Sequence, residues 1–592
     1  MKDRWTRTLE YVSMTHALKL AIEPGSSTTR ARCQAGEAHS KKRSWLQLRA
    51  RKCIASFCVA LLSASTQTHA GPPEPSSIAI EAHTRFLAHD LLQGRDPGTD
   101  GYDIAAEYVV AQFALAGLVP ARGAADYFQH VPMRRRELVG RGAQLTLWGP
   151  TGARTLENGR DFAIDASPVE ELEVLEAEMV FVGWGIDAPH LGFHDYDGVD
   201  VRGKAVVLLE GAPAKLPGAL RAHYSWIRTK EEAAARKGAV AVITIKTPER
   251  EKYASWERTR TYKPLAAMSW LHPDGTASNA VAATMTLGPE LAQAMFAEQG
   301  ADLKAILAHC EEGSVAGFAL PHQMRLTRQS AHAEVNSANV VGLLAGRDPA
   351  LAREYVVVLA HLDHVGLGPE VEGDPIHNGA VDNAGGVAVM LEAARVLGAG
   401  LPPRRSVLFV ATTAEEKGLL GAEFFARHLP VPASEIVAAI SVDGLMAFHD
   451  FATIVALGEE HSTLGPISSK AARSIGARHV PDPIPGRGNL ALSDQYPMLR
   501  LGIPVLFPNP GRGETRDGGF DAAAWDVYEE RHYHKPGDDI GLPIDWSVAA
   551  RWASYIQRMV RATAETRRRP AWYVGDTLGE TFSPESPKAP RP

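Results

Sequence analysis

The stretch YVVVLAHLDH, residues 355–364, decides the fold. Its first six residues are continuously apolar, too short a run for a helix and without polar alternation, which predicts a short strand buried on both faces. Two imidazoles and a carboxylate follow at once. Working outward, SVLFVAT (406–412) precedes Glu415-Glu416, IVAAISV (436–442) runs into Asp443, and IPVLF (503–507) supplies a fourth run. Between the first two, Val387, Met390, Leu391 and Ala394 recur at helical spacing. Short apolar strands alternating with helical segments predict an α/β fold with a mixed, largely parallel central sheet flanked by helices.

Ligands of open α/β sheets bind outside the carboxyl ends of the strands. His361, Asp363, Glu415, Glu416 and Asp443 all fall at such ends, Asp382 sits in the turn AVDNAGG (380–386), and His534 lies in the late loop HYHKP (532–536). Taken singly, each has a plainer reading. Asp382 suits a helix cap, Glu415-Glu416 a solvated helix start, and His534 a surface loop. Taken together, two imidazoles and three carboxylates on one rim indicate metal. Such donors without thiolate suit Zn²⁺ in a catalytic site. Five ligands exceed what one catalytic zinc uses and suffice for two Zn²⁺ sharing a carboxylate.

The rest of the chain bounds the function. With 592 residues, 45% of them hydrophobic, the chain is expected to form two to four globular domains, not a disordered or fibrous protein. The first 70 residues hold 12 basic and 4 acidic side chains, so the remainder carries −15. A body that acidic has no electrostatic reason to bind phosphate backbones, and no nucleic-acid partner is expected. Only Cys310 lies outside the leader, which excludes an intrachain disulfide or a thiolate cluster in the body.

Residues 41–52 are basic, Cys53 to Ala64 is apolar, and Thr68-His69-Ala70 is a small-x-small site. That order predicts a signal peptide or leader over 1–70 and an exported, periplasmic or extracellular chain. An apolar run of roughly 12 residues is short for a bilayer that needs about 20, so no stable membrane insertion is expected after signal removal. Helical spacing over Ile78 to Leu92 and Tyr102 to Leu115 opens an N-terminal part of the main domain, 71–170. From 171 to 326 the texture changes to short β-type runs (Glu178 to Gly183, Ala205 to Leu209, Ala239 to Ile245), a candidate inserted domain. The main domain resumes over 327–570, and 571–592 forms a tail whose Pro-rich end, Ser583 to Pro592, is expected to be disordered.

The motifs AHLDHVG (360–366), GAVDNAGG (379–386), ATTAEEKGLLGAE (411–423), SVDG (441–444), SDQYPM (493–498), GIPVLF (502–507) and YHKPGDD (533–539) occur in an order that resembles peptidase family M28, the di-zinc aminopeptidases. FVGWGIDAP, DYDGVDVRGKAVVL and AAARKGAVAVITI resemble the protease-associated domain that many bacterial members insert, either as a lid over the cleft or as a spacer. The resemblance implies a zinc exopeptidase fold acting on peptide substrates. It makes His361 and Asp443 ligands of one zinc, Glu416 and His534 ligands of the other, Asp382 the bridge with a cis peptide after it, and Glu415 the general base. Asp363 would orient His361, and Ser493, Asp494 and Tyr496 would contact substrate. Gln495 departs from the His of many relatives. Alternatives are a glutamate-carboxypeptidase-like exopeptidase, which needs a basic pocket, a one-zinc glutaminyl cyclase-like enzyme, and a receptor-like homologue, which would have lost ligands that are all present here.

Overall fold

The computed structural model describes residues 73–313 and 316–592; the expected leader lies outside them. Two helices open the described chain, α1 (Ser77–Leu87) and α2 (Asp100–Leu115). Both begin at hydroxyl caps: Ser76 Oγ accepts the N–H of Ala79 at 3.2 Å, and Thr99 Oγ1 that of Tyr102 at 3.3 Å. Each such cap contributes about 1 kcal/mol. Next come β1 (Phe128–Gly149), β2 (Leu172–Phe181), β3 (Ala205–Leu209), α3 (Gly218–Ser225), α4 (Ile227–Arg236), β4 (Ala241–Ile245), α5 (Trp256–Tyr262) and β5 (Ala283–Leu287). The chain continues with β6 (Phe318–Leu344), β7 (Tyr355–His361), α6 (Gly385–Ala399), β8 (Ser406–Thr412), β9 (Ile436–Ser441), β10 (Thr453–Leu457), β11 (Val505–Pro510) and α7 (Trp546–Glu565).

One hydrogen-bonded sheet joins these strands in the order β10-β11-β9-β7-β8-β6-β2-β3-β4-β5. The pairs β11–β9, β9–β7, β7–β8, β2–β3, β3–β4 and β4–β5 are parallel. β6 runs antiparallel to both β8 and β2, so the sheet is mixed and largely parallel, as the apolar runs predict. The sequence of β7 explains its place. Side chains alternate across a strand: Val356, Val358 and Ala360 pack with α6 and α7, while Val357 and Leu359 pack with Leu408, Tyr496 and Met498 on the other face. Val356 to Leu359 are all 0% exposed, each contributing about 1.5–3 kcal/mol by leaving water.

Two expectations meet a different structure. The boundary expected at 326 falls inside β6, a continuous 27-residue strand that pairs with β1 from Gln323↔Trp148 to Val340↔Phe128. Burial alternates along that strand straight through 326 and becomes continuous only from Ser337, so no linker lies there. The Pro-rich end, expected to be disordered, is held by main-chain hydrogen bonds: the Val574 N–H donates to Ala589 O and the Ala589 N–H to Trp572 O, both at 2.8 Å. Arg591 pairs with Asp576 at 3.0 Å. Prolines remove donors from an extended segment but leave its carbonyls and its non-proline N–H groups free to pair. Among the described residues no helix is long and apolar enough to cross a membrane.

Candidate metal centre

The parallel register brings three strand ends to one rim. His361 lies opposite Thr412, and Leu359 opposite Ser441, so the residues just beyond β8 and β9 flank the His361 side chain. Asp382 arrives from the turn before α6. Its main chain is fixed by Asp538, whose carboxylate accepts the N–H groups of Val381 at 2.8 Å and Asp382 at 3.0 Å. The Asp382–Asn383 peptide is cis. Asn383 ties this turn to the next ligand segment, donating to Val442 O at 3.1 Å and accepting the Gly444 N–H at 3.0 Å. Beneath them the Arg95 guanidinium, 0% exposed, donates to the carbonyls of Leu87, Leu362 (2.7 Å), Asn378 (2.7 Å) and Gly379 (3.1 Å). One buried cation therefore holds the loops carrying His361 and Asp382 together.

The expected ligand residues converge. His361 Nε2 lies 3.2 Å from an oxygen of Asp382 and 3.2 Å from one of Asp443. His534 Nε2 lies 3.1 Å from the second oxygen of Asp382 and 3.3 Å from Glu416. Asp382 thus directs one oxygen to each cluster. Glu415 is largely enclosed beside them. Burial and the charges of Asp443, Glu416 and Asp494 push its carboxyl well above the usual carboxylate range, against the pull of His361. Burial also acts to raise Glu416, but His534 and His364 override it and hold that carboxyl at about 2. Two adjacent glutamates therefore have opposite proton affinities.

Asp363 takes a different part from the one expected. His361 Nδ1 meets the main-chain carbonyl of Asp363 at 3.1 Å, while the Asp363 carboxylate accepts the N–H groups of Glu415 and Glu416 at 3.0 and 3.2 Å. Burial raises this carboxyl to about 7. The three expected substrate contacts lie behind the rim, not in the cleft. Tyr496 is 0% exposed, its hydroxyl 2.6 Å from His223 Nδ1 on α3, with Trp226 edge-on to its ring. Asp494 accepts from Thr412 Oγ1 at 2.5 Å, and Ser493 Oγ lies 3.1 Å from Ser441 Oγ. Their polar side chains are used to fasten strands and the 171–326 segment, which a motif alone does not reveal.

The donor chemistry fits zinc. Among the described residues two groups can hold an ion: His361, Asp382 and Asp443, and His364, Asp382 and Glu416. Buried Glu416 Oε1 and both ring nitrogens of His364 have no hydrogen-bond partner, as expected of atoms that serve a cation. His364, Asp538 and Arg95 are not identified as site residues by sequence reasoning, although each stands inside a segment that carries the resemblance, Arg95 in GRDPGTDGYDIAAEY (94–108). Around the rim opens a cleft of 970 Å³ lined by Trp226, Met446, Leu457, Ile484, Phe507 and Trp525 among others.

The mixed α/β sheet thus presents at its strand ends two imidazole–carboxylate clusters that share Asp382. Residues 339–560 match the sequence profile of Peptidase family M28. Aminopeptidase YwaD of Bacillus subtilis (strain 168) is 36% identical over 114 residues, 19% of this chain and 23% of that protein. Aminopeptidase NAALADL1 of Rattus norvegicus is 33% identical over 171 residues, 27% and 19% of the two chains. The chain spans about a fifth to a quarter of the length of such curated relatives. Among solved structures, an aminopeptidase from Aneurinibacillus sp. strain AM-1 aligns with a TM-score of 0.47 and 17% identity, covering 84% of this chain and 96% of that one. BSAP, a zinc aminopeptidase from Bacillus subtilis, aligns at 0.40 and 19%, covering 83% and 95%.

Proposed function

We propose that this chain is a zinc-dependent aminopeptidase that removes N-terminal residues from peptides through a two-zinc site with Glu415 as general base. The observation that carries the reading is the division of Asp382, one oxygen toward His361 and the other toward His534. His361, Asp443 and Asp382 would hold one ion, and Asp382, Glu416 and His534 the other. When bound, the two zincs supply the positive charge that polarises a peptide carbonyl and acidifies water.

The protein's own residues do the rest. Glu415, with its raised proton affinity, takes the proton of the attacking water and returns it to the leaving amine. Glu416 is too weak a base for that task. The apolar walls of the cleft exclude water around the reacting carbonyl and favour an apolar side chain at the substrate's N-terminus. Its arginines are already paired, Arg487 with Glu529 at 3.2 Å and Arg512 with Asp526. Neutralised cations favour a substrate amine over the terminal carboxylate of a carboxypeptidase substrate.

We further propose that residues 171–326 act as a protease-associated segment restricting the cleft, with Trp226 as its contribution to the wall, and that the exported chain begins near Gly71. N-terminal sequencing of secreted protein tests the latter; a retained Cys53 would sink it. The function itself is tested with a panel of aminoacyl-nitroanilides. Hydrolysis that stops with chelator and returns with zinc is the expected result, and hydrolysis indifferent to chelator would refute the metal mechanism.

A further inference from the structure

His364 belongs to no expected role, yet it is the most tightly confined imidazole of the rim. It is 0% exposed, and neither ring nitrogen has a hydrogen-bond partner. Its Nδ1 lies 2.8 Å from Glu416 Oε1 without hydrogen-bond alignment. With Asp382 these two residues form a group whose ligand atoms all lie within 4.8 Å of one another. The ring is also deliberately seated. A Cβ at Gly379 would stand 2.5 Å from His364 Cγ, so only glycine leaves room, and Gly379 adopts φ +61°. The ring edge meets His534 at 5.7 Å between centroids.

His534 is differently engaged. Arg258 on α5 donates to its Nδ1 at 3.1 Å. Its Nε2 faces Asp382 at 3.1 Å and Glu416 at 3.3 Å.

We propose that His364 Nδ1 is a ligand of the metal position formed by Asp382 and Glu416, in addition to His534. That position then has four protein ligands and is closed, while the one at His361, Asp443 and Asp382 keeps three and stays open to water and substrate, the arrangement that separates holding sites from catalytic ones. The inference rests on the two-zinc reading above.

The test is the crystal structure of the full chain loaded with zinc, located by anomalous scattering. A zinc within about 2.1 Å of His364 Nδ1 is expected. A zinc on Asp382, Glu416 and His534 with His364 beyond 3 Å would overturn this inference alone; no zinc at either cluster would overturn it together with the metallopeptidase reading. In parallel, chelator competition on His364→Asn should show the tighter of two zincs weakened by 100-fold or more, with the other unchanged. Unchanged affinity for both would count against a direct bond.

Discussion

Asp363 holds Glu415 by its main chain: one oxygen of its carboxylate accepts the Glu415 N–H at 3.0 Å, and the other accepts that of Glu416 at 3.2 Å. The turn that carries the two glutamates is thus set by a third carboxylate, and its register depends on both oxygens being acceptors.

Asp363→Asn replaces one acceptor by an NH₂ group that faces an N–H. The expected outcome is a 10- to 100-fold fall in kcat, the usual effect of losing a partner that orients a metal site, with the fold intact by circular dichroism. Steady-state kinetics on an aminoacyl-nitroanilide check it; wild-type kcat would mean that the turn holds without Asp363.

The two adjacent glutamates are separated by what each substitution removes. Glu415→Ala should keep both zincs while kcat falls by about 10² to 10⁴. Glu416→Ala should lose metal, and its activity should recover partly in excess zinc by mass action. Zinc stoichiometry and kcat for both variants decide it, and the reverse pattern would exchange the roles.

His461 offers a pH test remote from the metals. Burial opposes its charge, but Asp576 at 2.9 Å and Glu460 at 3.1 Å prevail and raise it to about 9. A raised imidazole stabilises the fold fully below its unfolded value of 6.5 and loses that contribution as pH rises through 9. Unfolding free energy should therefore fall by about 3 kcal/mol at most over that window. His461→Gln should flatten the fall; a variant with the wild-type slope would exclude His461 as its source.

The C-terminal segment should behave as structure. Trp572 is 2% exposed and donates its indole N–H to Gly502 O at 2.8 Å. Trp572→Ala should cost about 3–5 kcal/mol, as for other buried aromatic truncations. Amides of Val574 and Ala589 should exchange slowly with deuterium, and rapid exchange at both would restore the disordered tail.

The sheet was legible because β7, β8 and β9 are buried on both faces and so spell themselves as unbroken apolar runs; His361, Glu416 and Asp443 were legible as candidate ligands because they follow those runs, whereas Asp382 and His534, in a turn and a late loop, stood out only in company with them. What was not legible depends on partners distant in sequence. Asp363 looks like a side-chain partner of His361 until β8 brings the Glu415 N–H above it. Tyr496 stands in a substrate motif, yet its hydroxyl is taken by His223, 273 residues earlier. His364 is an ordinary histidine until Gly379 makes space for its ring. Local pattern reports burial; it carries no information about which distant carbonyl, amide or ring will fill a hydrogen-bonding position.

The pairing of β1 with β6 also bears on how the chain is made. Partners in that ladder lie about 175 to 210 residues apart, so during synthesis β1 leaves the ribosome long before β6 exists. Until then the edge of β1 that β6 will cover stays unpaired, able to recruit another nascent chain. Ribosome stalling or truncation anywhere before Leu344 should therefore yield aggregates, even when the missing part contains every metal ligand and none of β1.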